Sequence, residues 1–350
     1  MDRRSFLKTT SLTLAAATLA APNILRAQAK RFEGVTLNIN GYGGDYDRIL
    51  KESVAKPLED QTGLRVVYTP STASAAVARI IASPDNPPFD LVMCDSPNMP
   101  DLIKAGAITP TNLGPDVIGR IVPSVREFGD YGIPMSVASM IVTYNKTLVK
   151  SPLTSFIDLA RPDLEGRVAM FNLENSGGVL YFLALAEAGG GNVDNVDPAF
   201  EALRKIKPNI TAVTPSTVNL LQLFEQEEAW AGAFWDGRVF SMQKAGKPMA
   251  LVPPKEGLYA LRSYVSPVKG TKHPDAVKAY LEQLVTGPFI TELSRFFGYV
   301  PTTNIQLPPD VAASVIPYGK GGLESLRAIN WEKVAAYRGD WLSRFNREMR

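Results

Sequence analysis

The sequence predicts an α/β protein of two lobes, each with a mostly parallel sheet flanked by helices. Strand-like and helix-like segments alternate from Val35 to Cys94 and again from Gly166 to Val252, which is the order of a parallel sheet. Between these halves, Tyr131 to Lys146 passes from one apolar run into another through small residues, and Tyr259 to Val265 returns the chain. We therefore predict two domains joined by two crossover strands, and 350 residues is a typical length for that arrangement.

The first half alternates three predicted strands with helical patterns. The strands are Val35–Asn40, Gly63–Thr69 and Phe89–Cys94, and the helices cover Ile49–Leu58, Ser71–Ala82 and Met99–Ala105. Ligands of such sheets lie beyond the carboxyl ends of the strands. Tyr42 follows the first strand, and Asp95 and Ser96 follow the third, so these three residues are candidate ligand contacts.

The second half repeats the pattern. Its predicted strands are Gly166–Phe171, Ile210–Val213, Ala231–Trp235 and Met249–Val252, and its helices are Leu153–Ala160, a helix from the Asn175 loop to Ala188, Pro198–Ile206, Thr217–Gln226 and a helix that ends at Ala245. Glu174, Asn175 and Ser176 precede a helix whose free N–H groups suit an anionic group, although Ser176 could simply cap that helix. Trp235 and Asp236 end a strand, and Trp235 could instead belong to the core.

The last hundred residues are predicted to be mainly helical. Helices are expected over Pro274–Val285, Pro288–Phe297, Leu323–Ile329 and Trp331–Asn346, and Tyr299 lies in a tight turn after the second of them. We assign residues 30–135 and about 264–310 to lobe 1. Residues 136–263 and about 311–350 are assigned to lobe 2.

The first residues resemble a twin-arginine export signal of bacteria. Arg3 and Arg4 precede Ser5-Phe6-Leu7-Lys8 and an apolar run from Thr9 to Ala21. That run of roughly 13 residues is shorter than the roughly 20 that a membrane-spanning helix needs. We expect cleavage after Ala29, so that residues 1–29 are removed; the alternative is a first helix of the folded domain.

Loss of this segment changes the charge of the chain. The segment holds Arg3, Arg4, Lys8 and Arg26 against Asp2, so the whole-chain net charge of +2 becomes −1. Such a nearly neutral chain gives no support for binding to nucleic acid or to an anionic membrane, which requires a concentrated basic face.

Single cysteine and histidine residues restrict the possible chemistry. Cys94 excludes an intramolecular disulfide, and its apolar surroundings predict a buried side chain rather than a reactive thiol. His273 lies in a turn before a helix. A histidine-based metal site or a Ser-His-Asp triad is therefore poorly supported, and no metal or cofactor is expected.

Several short phrases, in their order and spacing, resemble the substrate-binding proteins of bacterial ABC importers, and within them the spermidine/putrescine-binding branch. They are Phe89-Asp90-Leu91-Val92, Ile133-Pro134, Val142-Thr143-Tyr144-Asn145-Lys146, Leu164-Glu165-Gly166-Arg167-Val168-Ala169, Trp235-Asp236-Gly237, Pro254-Lys255-Glu256-Gly257 and Gly298-Tyr299-Val300-Pro301-Thr302. The resemblance implies the two-lobed periplasmic binding protein fold of type II. It also implies a periplasmic monomer whose lobes close on a small solute and deliver it to an ABC permease in the inner membrane.

Closure requires the solute to touch both lobes, so candidate ligand contacts come from both sides of the crossovers. The complete set is Tyr42, Asp95, Ser96, Glu174, Asn175, Ser176, Trp235, Asp236, Arg262, Ser263 and Tyr299. Polyamine binders present a carboxylate at the return crossover, whereas this chain has Arg262 there. We therefore predict a solute with an acidic group held by Arg262; in a zwitterionic solute the amine would lie near Asp236. The alternative is that Arg262 forms a structural salt bridge.

Three other functions remain open at this point. A polyamine binder agrees with the carboxylates Asp95, Glu174 and Asp236. A ferric-ion binder shares the fold but typically uses neighbouring tyrosines, and this chain has no Tyr-Tyr pair. An enzyme on the same fold would need a nucleophile with an activating base, for which Cys94 and His273 are the only obvious candidates; we expect a binding protein rather than an enzyme.

Overall fold

A computed structural model of the protein describes residues 30–316 and 326–349. The predicted export signal, residues 1–29, lies outside the described residues, as does the start of the predicted helix Leu323–Ile329. Residues 326–329, which complete that segment, are not helical.

The strands of the described chain form one continuous sheet, ordered β2-β1-β3-β9-β4-β7-β5-β6, with β8 paired to β4. Their bounds are β1 (Thr36–Gly41), β2 (Arg65–Pro70), β3 (Leu91–Asp95), β4 (Ile133–Asn145), β5 (Val168–Phe171), β6 (Ile210–Thr214), β7 (Ala231–Trp235), β8 (Met249–Val252) and β9 (Tyr259–Pro267). Pairs β1/β2, β1/β3, β5/β6 and β5/β7 are parallel. Every antiparallel pair includes β4 or β9.

Strands β4 and β9 are the two predicted crossovers, and they pair with each other from Ile133↔Val265 to Met140↔Tyr259. The carboxyl end of β9 pairs with β3, and the carboxyl end of β4 pairs with β7 and β8. All thirteen residues of β4 are buried. These two strands therefore connect a first half of the sheet (β1–β3) with a second half (β5–β8).

Helices flank both halves of the sheet. Their bounds are α1 (Gly44–Leu50), α2 (Lys56–Thr62), α3 (Ala73–Ala82), α4 (Met99–Lys104), α5 (Pro115–Ile118), α6 (Ser176–Ala188), α7 (Asp197–Ile206), α8 (Thr217–Glu225), α9 (Asp236–Lys244), α10 (Pro274–Thr286), α11 (Phe289–Phe297), α12 (Pro309–Ala312) and α13 (Trp331–Glu348). Short 3₁₀ turns cover Ser96–Asn98, Pro123–Val125, Phe156–Ala160, Pro162–Leu164 and Lys207–Asn209. Within the described ranges, no helix has both the length and the apolar character needed to cross a bilayer.

Two features of the helices differ from a simple periodic pattern. A π-helical turn, Lys51–Ala55, joins α1 to α2, so that Ile49 and Val54, five residues apart, are both buried. Helix α13 contacts both halves: it packs beside α4, and its Trp341 ring lies 5.5 Å from Phe182 of α6. The terminal helix therefore bridges the two halves of the sheet.

Candidate functional site

A cavity of about 260 Å³ lies between the two halves of the sheet, beside the crossover strands. Ser136 and Ala138 of β4 and Leu261 and Ser263 of β9 line it. Eight of the eleven predicted contacts also line it: Tyr42, Asp95, Glu174, Asn175, Ser176, Trp235, Ser263 and Tyr299. The structure thus brings together residues that are more than 250 positions apart in the sequence.

The topology explains why these side chains meet. Tyr42 follows β1, Asp95 ends β3, Glu174 follows β5 and Trp235 ends β7. These strands all end toward the cavity, and ligand sites of open α/β sheets lie at such carboxyl ends. Trp235 is 8% exposed, so it belongs to the core and lines the cavity as well.

Asp95 is a buried carboxylate at the cavity wall, 8% exposed. Its Oδ1 accepts hydrogen bonds from the hydroxyls of Tyr42 and Ser263, each at 2.8 Å. Burial raises the pKa of Asp95, while the nearby Ser176 hydroxyl and the hydrogen bonds from Ser263 and Tyr42 oppose the rise. The site therefore contains a partly compensated anionic position that a cationic group can complete.

The loop that carries Tyr42 is fixed by Asp47 of α1. The Asp47 carboxylate accepts backbone hydrogen bonds from Tyr42 and Gly43, and burial raises its pKa. Gly41 allows this approach, because a Cβ there would lie 2.1 Å from Asp47 Oδ2. Gly43 has φ +79, a conformation that favours glycine. The glycines therefore let a buried carboxylate hold the loop that presents Tyr42.

Aromatic rings form one wall of the cavity. The rings of Tyr42 and Tyr46 meet edge to face at 5.2 Å, and Tyr299 stacks on Phe297 at 5.4 Å. Tyr46 also lies 5.9 Å from Phe297, so the rings form a continuous series. Burial raises the pKa of the Tyr42 and Tyr299 hydroxyls, which keeps them neutral hydrogen-bonding groups at physiological pH.

Arg238, in the first turns of α9, is the cationic group of the cavity. It is 6% exposed, lines the cavity and lies 4.7 Å above the Phe297 ring. Among the described residues no carboxylate forms a salt bridge with Arg238; the neighbouring Asp45 pairs with Arg48 at 2.9 Å. Burial lowers the pKa of Arg238. Its guanidinium is therefore desolvated and has no direct salt-bridge partner among the described residues, although Asp45 and Asp47 are near enough to oppose the fall in pKa.

The loop before α6 enters the cavity from the second half. Asn175, not Ser176, is the N-cap residue: its side chain accepts a hydrogen bond from Gly177 N–H at 2.8 Å. Ser176 is the first helical residue, and its buried hydroxyl lies near Asp95 and lowers the pKa of that carboxyl without forming a hydrogen bond within the described chain. The prediction that Ser176 caps the helix was therefore wrong by one residue, because the asparagine before it has the extended backbone of a cap.

The other three predicted ligand contacts, Ser96, Asp236 and Arg262, do not line the cavity. Arg262 lies between Leu261 and Ser263 on β9, and since successive strand residues face opposite sides, its side chain points away. It forms a salt bridge with Glu127 at 3.0 Å. Ser96 also donates to Glu127, at 2.7 Å. Asp236 is 1% exposed, and its Oδ1 accepts the Gly237 N–H.

Sequence reasoning missed several residues of the cavity. These are Gly43, Tyr46, Pro70, Ser71, Thr72, Ala73, Ser136, Ala138, Pro215, Ser216, Thr217, Val218, Arg238 and Leu261. Most of them occupy loops at the starts of α1, α3, α8 and α9. The sequence signal that could have identified Arg238 is its position: Arg238 lies in the first turn of α9, directly after the strand that ends at Trp235.

Residues suited to metal binding or nucleophilic chemistry are dispersed. The described part of the chain holds no cluster of three or more His, Cys, Asp or Glu residues that could bind a metal ion. Cys94 is fully buried, as predicted, and burial raises the pKa of its thiol. His273 precedes α10 without a side-chain capping bond.

Comparisons with known proteins place the chain in a family. Residues 53–316 match the model of the bacterial extracellular solute-binding proteins. The chain is 25% identical over 271 residues to the spermidine/putrescine-binding periplasmic protein of Escherichia coli K12, and this alignment covers 72% of this chain and 75% of that protein. It is 24% identical over 291 residues to the putrescine/agmatine-binding protein of Pseudomonas aeruginosa, and this alignment covers 75% of this chain and 78% of that protein.

Solved structures agree in fold. The periplasmic binding protein AfuA of Actinobacillus pleuropneumoniae, solved with fructose-6-phosphate, has a TM-score of 0.76 and 18% identity, over 91% of this chain and 99% of that one. These similarities confirm the predicted type II periplasmic binding protein fold. The family and its periplasmic relatives also confirm the predicted localisation. This chain therefore belongs to the bacterial extracellular solute-binding protein family.

Proposed function

We propose that this protein captures a small zwitterionic solute in the periplasm for an ABC permease, with the acidic group of the solute at Arg238 and its amine at Asp95. The observation that carries the proposal is the buried guanidinium of Arg238, which lines the cavity without a carboxylate partner among the described residues. Arginine binds carboxylates through two parallel hydrogen bonds. The acidic group predicted from the sequence is kept, and Arg238 replaces Arg262 as its partner.

The surroundings of Arg238 favour an anion. A Cβ on Gly44 would lie 3.9 Å from Arg238 Nη1 and 4.0 Å from a Val218 methyl group, so the guanidinium lies near the first turn of α8. Ser216, which caps α8, and Thr217 line the same cavity. The N–H groups at a helix start attract negative charge. The acidic group of the solute would therefore contact the second half of the sheet and the amine, at Asp95, the first half, so that the solute as a whole contacts both, as closure requires.

The surroundings of Asp95 favour an ammonium group. Its carboxylate already accepts hydroxyl hydrogen bonds from Tyr42 and Ser263. Glu174, which is exposed, adds a second carboxylate at the cavity edge, and the faces of Tyr42 and Trp235 suit a cation. Asp95 and Arg238 both act on the pKa of Tyr46 and Tyr299, so these rings lie near both charged positions.

A diamine is the second candidate. The carboxylates Asp95 and Glu174, the aromatic wall and the names of the relatives favour it. Arg238 opposes it, since a second ammonium group near this buried guanidinium is repelled. The zwitterion and the diamine therefore differ in the charge of the end that would lie near Arg238, and solutes with different terminal charges distinguish them.

Calorimetric titration with 4-aminobutyrate, putrescine and succinate tests the proposal, because these solutes share a four-carbon chain and differ in terminal charge. We expect 4-aminobutyrate to bind and Arg238→Ala to weaken it by roughly 10–100-fold, the value of a charged hydrogen-bonded contact. Arg262→Ala serves as the matched control and should retain affinity. Binding of putrescine alone, strengthened by Arg238→Ala, would support the diamine; binding of none of the three overturns the zwitterion proposal.

A further inference from the structure

We infer that Arg338 of α13 is a positioning residue that holds the cavity closed by joining the first half of the sheet to the loop before α6. This inference depends on solute capture through closure and not on the charge of the solute. Arg338 does not line the cavity, so it acts through the residues that it binds.

Arg338 and two partners form a ring of hydrogen bonds. Its Nη2 donates to Ser74 Oγ at 2.7 Å and to the Glu174 carbonyl at 2.9 Å. Ser74 Oγ in turn donates to the same Glu174 carbonyl at 3.0 Å. Arg338 Nε donates to the Leu173 carbonyl at 3.2 Å. One guanidinium therefore connects α13, α3 and the loop between β5 and α6.

Helix α13 is held by both halves: its backbone packs on α4 and on the 3₁₀ turn Ser96–Asn98 of the first half, and several of its side chains bind the second half. Lys333 Nζ lies 2.6 Å from Asp194 Oδ2, and Arg344 Nη1 lies 2.5 Å from Asp197 Oδ1. Trp341 packs against Phe182 of α6. Ser74, by contrast, belongs to α3, which packs on β3 in the first half. Glu174 precedes α6 in the second half, so the bonds that join Ser74 to Glu174, directly and through Arg338, cross between the halves.

The ring lies directly behind the cavity. Ser74 follows Thr72 and Ala73, which line the cavity, and Glu174 precedes Asn175 and Ser176, which line its opposite side. Separation of Ser74 from Glu174 would open this edge and withdraw Ser176 from Asp95. No carboxylate forms a salt bridge with Arg338 in the described part of the chain, and its Nε and one of its terminal nitrogens are used for these hydrogen bonds. Such charge-assisted bonds are stronger than neutral ones, which suits a fastening contact.

Distance measurement between spin labels tests this role without any knowledge of the solute. Ala78 on α3 and Gln222 on α8 are exposed and lie on opposite halves, so Ala78→Cys and Gln222→Cys supply the labels. Cys94 is fully buried and is left in place. The full chain is unfolded, dialysed and refolded to remove any carried solute, and double electron–electron resonance then records the distribution of distances.

We expect Arg338→Ala to lower the ratio of closed to open molecules about tenfold, since hydrogen bonds to a charged group are lost. Arg338→Lys, which keeps the charge and can donate to some of the acceptors, should restore part of the closed population. Ser74→Ala removes only the first-half partner and should act in the same direction. Arg344→Ala is the matched control, because it removes an arginine of the same helix whose partners are Asp197 and Glu348.

Distributions that are the same in the parent protein and Arg338→Ala overturn the inference. An equal shift with Arg344→Ala also overturns it, because the effect would then reflect general loosening of α13. Should Arg338→Ala fail to fold by circular dichroism, Arg338→Lys and Ser74→Ala decide the question by the same measurement. Failure of the zwitterion proposal leaves this result unaffected, because no solute is present.

Discussion

Removal of Glu127 should destabilise the protein more than removal of its ion-pair partner Arg262. The Glu127 carboxylate accepts hydrogen bonds from Ser96 Oγ at 2.7 Å and from Trp331 Nε1 at 3.3 Å, and it pairs with Arg262 at 3.0 Å. The side chains of Arg262 and Glu127 are only 11% and 22% exposed. The ion pair is therefore largely shielded from water. Glu127 keeps two other hydrogen-bond donors when Arg262 is removed, whereas Arg262 loses its carboxylate partner when Glu127 is removed.

The magnitude follows from what each substitution leaves behind. Glu127→Ala leaves the guanidinium of Arg262 buried, and its Nε already lacks a partner among the described residues; loss of one member of a buried pair costs about 3–5 kcal/mol. Arg262→Ala leaves Glu127 with the donors Ser96 and Trp331, so the cost falls to roughly 1–3 kcal/mol. We expect a difference of about 2 kcal/mol in the free energy of unfolding.

Urea unfolding with linear extrapolation measures both variants, and calorimetry with whichever four-carbon solute binds measures affinity. Because Arg262 points away from the cavity, Arg262→Ala should leave the dissociation constant within about twofold of the parent value. Equal destabilisation by both variants would refute the assigned roles. A tenfold loss of affinity in Arg262→Ala without loss of stability would instead restore Arg262 as a ligand contact.

Two further results are expected. Because burial raises the pKa of Asp95, acidification should weaken the binding of an amine-bearing solute at a higher pH than it would for an ordinary aspartate, whereas the contribution of Asp95 to stability declines as pH rises through that pKa. Calorimetry and thermal unfolding between acid and neutral pH measure the affinity and the stability. An affinity that does not change with pH contradicts the role of Asp95. Gly237→Ala should reduce affinity and lower the free energy of unfolding by about 1–3 kcal/mol, since the new Cβ would lie 2.4 Å from the Tyr299 ring. Titration and urea unfolding measure the two effects, and Gly339→Ala on α13, where the new Cβ would lie in open space, is the control. Unchanged affinity in Gly237→Ala contradicts the placement of Tyr299.

The sequence was informative about the fold where composition changes sharply. Small residues inside an apolar run identified β4, and the apolar run from Tyr259 identified its partner β9. The same reasoning found the apolar positions Ile49 and Val54 but not the π-helical turn that places both in the core. That turn depends on packing against α10 and α11, which come more than 200 residues later.

The positions of strand ends in the sequence predicted the location of the site reliably, but the side on which each side chain of a strand or helix lies was not predicted. Arg262 and Ser263 are adjacent on β9, so both could not face one cavity; the alternation alone argued against predicting them together. Asp95 and Ser96 diverge in the same way. Arg238 lies in a helix whose orientation is set by packing against β4, β8 and α11, and no local pattern reveals which of its side chains reaches the cavity.

The divergence of Asp95 and Ser96 connects the cavity to the ion pair on the other side of β9. Ser96 Oγ donates to Glu127, and it also accepts the Arg262 N–H at 3.0 Å, so it fixes the segment that carries Asp95. Ser96→Ala should therefore cost about 1–3 kcal/mol in unfolding free energy and weaken solute binding although Ser96 touches no solute. Urea unfolding and calorimetry measure the two effects, with Ser314→Ala as the control, because the partly buried Ser314 hydroxyl donates to the Val311 carbonyl and to no other group in the described chain. Loss of stability without loss of affinity would show that Asp95 keeps its position independently of Ser96.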